Sequence, residues 1–251
     1  MKVDRYEPGV PCWVDLGTPD IDKSLAYYTQ LFGWTVDDQG EEAGHYHIAS
    51  AAGLPVAGIG PLMSPGPARW TNYVSVTSAD DTVANVEGAG GTVLMGPMDV
   101  MDVGRMAIVA DPAGAAIGIW QPGNFQGAQL VNEPGAFVWS QLMSTDIDRA
   151  TSFYTEVFGW EASEDTENGG TAFSVAGKPV SGGMAMPSEV PAGTPSYWDV
   201  YFSVADADET AARVKELGGQ ILMGPQDIAA GRIAATMDPT GAMVGIAATT
   251  P

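Results

Sequence analysis

Few side chains in this sequence can do chemistry, and they fall into small groups. His45 and His47 lie in Gly-His-Tyr-His-Ile. Two residues apart on a strand, both imidazoles would project from one face. With Glu41 or Glu42 they are weak candidates for a divalent metal site. The favoured reading for them is a plain strand surface or pocket wall. Asp15 is a candidate general base, or the partner of a cationic ligand. Asp199 and Tyr73 are the other candidates for a catalytic role. Tyr73 and Tyr201 can donate or accept a hydrogen bond, while Trp13 and Trp139 can offer flat stacking surfaces. Cys12, beside Trp13, is expected to be a small buried residue, because no His accompanies it as a nucleophile requires. Arg105 and Arg232 each follow a glycine and are expected in structural ion pairs.

Composition removes whole classes of function. The chain has 251 residues, one Cys, two His and a formal net charge of −21. One Cys forbids a disulfide framework and any Cys-rich zinc module. With 31 acids against 10 Lys and Arg, clustered cations for nucleic-acid phosphates or an anionic membrane are missing. A hydrophobic fraction of 45% supports real cores. No signal-peptide pattern and no apolar run of membrane-spanning length appears. The expectation is a soluble cytoplasmic protein.

The elements that must position these groups come in two copies. Trp13 to Trp34 aligns with Trp139 to Trp160 without a gap, and 10 of 22 positions are identical. Gly90-Gly-Thr-Val-Leu-Met-Gly-Pro97 returns as Gly218-Gly-Gln-Ile-Leu-Met-Gly-Pro225. Asp111-Pro112, Gly114 and Gly118 return as Asp238-Pro239, Gly241 and Gly245. This is duplication of a whole domain, with copies over 1–127 and 128–251 joined by a Gly-, Asn-, Gln- and Pro-rich stretch. Each copy reads β-α-β-β-β twice. In the first, a strand over 12–16 leads to a helix over 21–31, capped by Thr18 or Asp20 and closed by Gly33. Strands are expected over 34–38, 44–51, 55–62 and 71–77, then a helix over 79–88. Three further strands cover 92–99, 105–110 and 115–121. The fold class is α+β, with helices on one face of mostly antiparallel sheets.

Period-two alternation separates the faces. Val14, Leu16, Val74, Val76, Val200, Phe202 and Val204 point to the core. Trp13, Asp15, Thr71, Tyr73 and Ser75 point to a cavity face, which Trp120 should join. In the second copy, Trp139, Gln141, Asp199, Tyr201 and Ser203 do the same, with Ala247 in the place of Trp120. Two cavities walled by aromatic rings and a few polar groups suit an apolar or aromatic small molecule.

The stretches Asp-Ile-Asp-Lys-Ser-Leu-Ala-Tyr-Tyr-Thr-Gln-Leu-Phe-Gly-Trp at 20–34 and Asp-Pro-Ala-Gly-Ala-Ala-Ile-Gly-Ile-Trp at 111–120, both repeated in the second copy, carry a resemblance. They resemble the glyoxalase / bleomycin-resistance / extradiol-dioxygenase (vicinal oxygen chelate) superfamily, in particular its tandem two-domain members of actinobacterial type. The resemblance implies paired βαβββ modules whose sheets curl around a cavity. It also implies where metal-using members hold their ion. Their first-strand His falls at Trp13 and Trp139, and their second at about Thr71 and Asp199. Their Glu falls at Gly118 and Gly245, and their remaining ligand near 59–61 and 184–186, where no His or Glu stands. One possible ligand, Asp199, survives across two sites, whereas a divalent ion needs three or four.

The leading expectation is therefore a metal-free small-molecule binding protein of the sequestering kind, without a cofactor. Its site residues are Trp13, Asp15, Thr71, Tyr73, Gly118 and Trp120, with Trp139, Gln141, Asp199 and Tyr201. The second expectation is an enzyme of lyase, isomerase or dioxygenase type, either metal-free or using His45 and His47. The third is a structural or interaction protein. The chain is expected as a monomer or homodimer.

Overall fold

The computed structural model describes all residues except Ser64, Glu167, Asn168, Glu189, Ala192, Thr250 and Pro251. The first copy opens with β1 (Pro11–Thr18), α1 (Ile21–Phe32), β2 (Thr35–Asp38), β3 (His47–Ala51) and β4 (Leu54–Pro61). It continues with β5 (Arg69–Ser75), α2 (Ala79–Val86), β6 (Thr92–Val100), β7 (Gly104–Ala110) and β8 (Ala116–Pro122). The second copy repeats the order as β9 (Phe137–Ser144), α3 (Ile147–Phe158), β10 (Glu161–Glu164), β11 (Thr171–Val175) and β12 (Lys178–Ala185). It ends with β13 (Tyr197–Ser203), α4 (Ala207–Glu216), β14 (Gln220–Ile228), β15 (Gly231–Met237) and β16 (Met243–Thr249).

Each copy forms one eight-stranded sheet. The orders are β2-β3-β4-β1-β5-β8-β7-β6 and β10-β11-β12-β9-β13-β16-β15-β14. The two modules of a copy join where their first strands pair antiparallel, β1 with β5 and β9 with β13. The expected α+β architecture of paired βαβββ modules is the one observed.

Helix α1 starts where Asp20 accepts a hydrogen bond from the Lys23 amide and stops at Gly33, which is left-handed at φ 70°. Asp146 and Gly159 repeat both devices around α3. A carboxylate satisfies a free first-turn amide, and glycine takes a left-handed φ without a Cβ clash. One expected strand is shorter than the sequence pattern suggests. Residues 44–46 precede β3, because Gly44 and His45 both adopt positive φ, at 63° and 57°.

The helix-bearing faces of the two sheets meet each other. Val14, Leu16, Tyr28 and Trp34 of the first copy share a buried cluster with Val200, Phe202 and Val244 of the second. Val74, Val109 and Ile117 pack likewise with Phe153, Tyr154, Trp160 and Trp198. Each half thus completes the other's core. Two equivalent polar locks cross the interface. The Tyr28 hydroxyl donates to Asp238 at 3.0 Å, and the Tyr154 hydroxyl donates to Asp111 at 3.0 Å. Trp70 and Trp198 donate their indole N–H to these same hydroxyls. Asp111 also accepts from the amides of Ala113 and Ala115, and Asp238 from those of Thr240 and Ala242. Buried carboxylates need this many donors to remain affordable. The Asp-Pro-x-Gly motifs are therefore the pins that join the copies.

Candidate functional site on the helix-free faces

Both helix-free faces carry the residues that alternation placed there, but the faces differ in how they are filled. On the first sheet Trp13, Tyr73, Trp120 and Met106 are buried in one cluster with Cys12, Ala128 and Val131. Phe125, from the segment after β8, packs edge-on against Trp13 at 4.9 Å and against Trp120 at 6.2 Å. Trp120 donates its indole N–H to the Phe125 carbonyl, and the Tyr6 hydroxyl donates to the Ala128 carbonyl. The expected first cavity is consequently a packed aromatic layer, because the chain around residue 125 folds back over it. Cys12 is buried as expected, and burial raises its thiol far above its ordinary range.

Tyr46 completes this layer. Its hydroxyl accepts the Trp13 indole N–H at 2.9 Å and donates to Asp15 at 3.2 Å. The Tyr73 hydroxyl donates to the same Asp15 oxygen at 3.1 Å. Burial pushes the Asp15 carboxyl up to about 6, against the opposing pull of Tyr73, Tyr46 and Thr71 and the nearby Arg69 charge. The phenol ring lies across β4, where a Cβ on Gly58 would fall inside it and one on Gly60 would come within 2.8 Å. The Tyr73 ring covers Gly118 in the same way, 2.2 Å from the position of an added Cβ. Gly118 is therefore a seat for an aromatic ring.

The two histidines do not converge. His45 sits in a left-handed turn, exposed, with its Nδ1 3.0 Å from Asp38. His47 opens β3, and among the described residues its buried Nδ1 has no hydrogen-bond partner. The expectation that both imidazoles share a strand face is corrected by the positive φ at residue 45, which breaks the alternation. Among the described residues no group of three His, Cys, Asp or Glu could hold a metal ion. The positions that the fold family would use for a metal hold indole, hydroxyl and glycine in the first copy, and indole, the single carboxyl of Asp199 and glycine in the second. Rings of Tyr46 and Tyr73 occupy the space beside Gly58, Gly60 and Gly118. These donor sets do not fit a divalent ion, which needs several N, O or S ligands converging on one point.

On the second sheet the same register gives another result. Asp199 and Gln141 face each other across β13 and β9, as Thr71 and Asp15 do across β5 and β1. The acid has moved to the neighbouring strand. Trp139 donates to Gln141 Oε1 at 3.1 Å, and that amide oxygen lies over Gly182, as the Tyr46 hydroxyl lies over Gly58. Asp199 is 8% exposed. Among the described residues its carboxylate has neither a hydrogen bond nor an ion pair, and burial alone pushes it up to about 7. The Tyr201 ring covers Gly245, and its hydroxyl likewise lacks a hydrogen-bond partner among the described residues. Among the described residues no ring packs against Trp139 or Tyr201, whereas Phe125 packs against Trp13 and Trp120 on the first sheet. Trp139 and Gln141 are half-buried, and Asp199 and Tyr201 beside them are buried.

Arg105 and Arg232 stand outside both faces in matching ion pairs. Arg105 bridges Asp80 and Asp99, and Arg232 bridges Asp208 and Asp227. This agrees with the structural role expected for them. Two of the surface depressions lie along the junction of the copies, one beside Ser78, Asp81 and Phe158 and one beside Pro112 and Arg149. Neither reaches a helix-free face. Sequence reasoning missed Tyr46 and Phe125. Two-residue alternation from Ile48 would have pointed to Tyr46, whereas nothing local marks Phe125.

Comparison with known proteins bears on both copies. The family model described as Glyoxalase/Bleomycin resistance protein/Dioxygenase superfamily matches residues 12–119 and 136–246. CFP32 of Mycobacterium tuberculosis (strain CDC 1551 / Oshkosh), whose name proposes a glyoxylase, is 40% identical, covering 98% of this chain and 97% of its own. The anthracycline biosynthesis protein DauV of Streptomyces sp. (strain C5) is 38% identical, covering 95% of this chain and 92% of its own. The Mn(II)-bound glyoxalase from Novosphingobium aromaticivorans superposes with a TM-score of 0.68 at 20% identity, covering 96% of this chain and 82% of that one. The 2,3-dioxygenase LapB from Pseudomonas sp. KL28 gives 0.65 at 15% identity, covering 98% and 94%. These structural likenesses concern the fold.

Proposed function

The chain belongs to the glyoxalase/bleomycin resistance protein/dioxygenase superfamily, and on that footing we propose a metal-free protein that binds an apolar or aromatic small molecule on its second sheet. The observation that carries this reading is the set of open groups on that face. Among the described residues the Asp199 carboxyl and the Tyr201 hydroxyl, on largely buried side chains, have no protein partner, and the Trp139 indole beside them packs against no other ring. Polar groups that lack a protein partner beside aromatic surface can take one from a ligand. The first face, whose acid already has its donors, serves as a structural counterpart. A relative named for anthracycline biosynthesis is consistent with an aromatic compound as the ligand.

The geometry defines what these side chains can do. Trp139 and Tyr201 supply ring surface, and Gln141 has an amide N–H free to donate. Asp199 can accept from a ligand O–H or N–H, and when protonated it can donate. Drug sequestration and a step in metabolism share this binding mode. A metal-free isomerase or lyase would use Asp199 as its acid or base, since a carboxyl near neutrality is suited to both roles.

The test is tryptophan fluorescence during titration with planar aromatic compounds such as 2-naphthol and anthraquinone. Saturable quenching that disappears in Trp139→Ala is expected, and no quenching across the panel would overturn the reading. The metal-free part is tested separately. After incubation with Mn(II), Zn(II), Ni(II) and Fe(II), gel filtration should leave only substoichiometric metal. A retained ion at one per copy would contradict it.

A further inference from the structure

Duplication also repeats the junction between the copies, and its two versions differ in charge. The first lies beside α2, where the turn before β1 and the end of α3 meet that helix. Pro8, Val76, Val157 and Phe158 line a groove there of about 260 Å³, with Ser78 and Asp81 among its polar groups. The Trp160 indole N–H donates to the Gly9 carbonyl and fixes the turn, and the Phe158 ring is held against Tyr154 and Trp160. Both copies therefore build the groove. Among the described residues no Lys, Arg or His lines it. The Asp81 amide donates to Ser78, but among the described residues its carboxylate has neither a hydrogen bond nor an ion pair. The neighbouring acid of the same helical turn, Asp80, already holds a guanidinium, that of Arg105. On α4 the acid matching Asp81 is Glu209, and Arg213 follows it by four residues, the spacing at which opposite charges on a helix attract. Arg213 pairs with Glu216 at 3.0 Å. On α2 the residue four beyond Asp81 is Asn85, which lines the groove. The chain thus supplies a cation of its own at one junction and none at the other.

We propose that this groove is a separate ligand site, for a small organic cation whose ammonium or amidinium group pairs with Asp81 while its apolar body lies against Phe158, Val157 and Pro8. It stands apart from both helix-free faces and does not depend on the reading given for the second sheet. The net charge of −21 draws cations toward the surface. The ring surface of Phe158 attracts a cation and an apolar body alike. The N-terminal end of α2 opposes a positive charge, but the guanidinium of Arg105 at Asp80 shows that the acids of this turn outweigh it. An exposed carboxylate alone holds a cation weakly. The apolar floor must therefore contribute, which selects a cation with an attached ring or alkyl chain over a bare metal ion. The groove is small beside the roughly 300–1,000 Å³ of ordinary ligand pockets, and it suits one ring with its charged group.

Benzylammonium and benzyl alcohol, which differ in charge at nearly equal size, test the proposal by calorimetry on the full chain at neutral pH and about 0.15 M salt. Benzylammonium should saturate at one per chain. Benzyl alcohol should bind at least about tenfold more weakly, the ratio that follows from losing a charge-assisted hydrogen bond. Asp81→Asn should weaken benzylammonium by about tenfold. Asn85→Arg, which gives α2 the cation that α4 carries, should weaken it by a similar factor. Both residues are exposed, so the fold is expected to persist, and circular dichroism checks this. Glu209→Gln removes the same charge at the other junction and should leave the affinity within about twofold. In the native chain the amide NMR shifts of Ser78, Thr82 and Asn85 should move during the titration. Equal weakening by Asp81→Asn and Glu209→Gln would mean that net charge alone attracts the probe, and would overturn the proposal. Loss of binding in Asp199→Asn with none in Asp81→Asn would place the cation on the second sheet and overturn it as well. Absence of saturable binding would do the same.

Discussion

The two helix-free faces share a register, a tryptophan, a tyrosine on its glycine seat and one acid, half-buried in the first and buried in the second, yet they are finished differently. On the first, Asp15 receives hydroxyl donors from Tyr46 and Tyr73, and Trp120 and Phe125 close the surface. On the second, Asp199 receives no donor among the described residues, and Ala247 leaves the indole's place small. Duplication gives a chain two copies of a surface whose polar groups must be satisfied somehow. This chain satisfies one set internally, and among the described residues the other has no internal donor.

The largest expected contrast lies in packing. Trp120→Ala should destabilise the chain by about 3–5 kcal/mol, the usual cost of deleting a buried indole. Trp139→Ala, at a half-buried position without ring partners among the described residues, should cost only about 1 kcal/mol. Equilibrium unfolding in urea measures both, and equal losses would mean that the two faces are packed alike.

The next contrast is in pH. The Asp199 carboxyl holds its proton up to about pH 7 in the fold, while the unfolded chain releases it near the ordinary carboxylate value. Between those limits the native state binds more protons, so the Asp199 contribution to stability falls as pH rises from about 4 to about 7. At pH 8 the charged carboxylate costs the fold up to about 4 kcal/mol. Asp199→Asn should therefore stabilise the chain at pH 8 and change little near pH 4. Asp15 has the same sign with a smaller rise, its window closing near pH 6. A variant whose pH–stability curve overlays the native one would show that Asp199 is hydrated or paired.

Tyr46→Phe sharpens the comparison further. It removes the hydroxyl that joins Trp13 to Asp15 and brings the first acid closer to the condition of Asp199. A loss of about 1–2 kcal/mol is expected from the broken, partly buried hydrogen bonds, with a further rise in the Asp15 titration midpoint seen by NMR. The smallest effect should come from Arg105→Ala and Arg232→Ala. Their exposed ion pairs are screened by water, so both should leave the unfolding midpoint nearly unchanged and equal between copies.

Much of the architecture was legible in the sequence. The repeat, the helix cap offered by Thr18 or Asp20, and the alternation at Trp13, Asp15, Tyr73, Asp199 and Tyr201 are local patterns, and local patterns survive folding. The Arg105 and Arg232 ion pairs also followed from the scarcity of cations among many acids. His45 and His47 misled because alternation assumes a continuous strand, and one left-handed residue ended it. The filling of the first face was hidden because Phe125 reaches it from about 110 residues beyond Trp13.

By itself the sequence determined that two like modules exist in each half, which residues share a face, and that Asp199 alone stands as a possible ligand at the positions where the resemblance places metal ligands. These follow from residue type and period, which need no distant contact. Only the tertiary structure decided that Asp111 and Asp238 pin the copies together through Tyr154 and Tyr28. It alone decided that Tyr46 satisfies Asp15 and that nothing described satisfies Asp199. Satisfaction of a buried polar group depends on which side chains arrive from other parts of the chain, and spacing along the sequence does not encode that arrival.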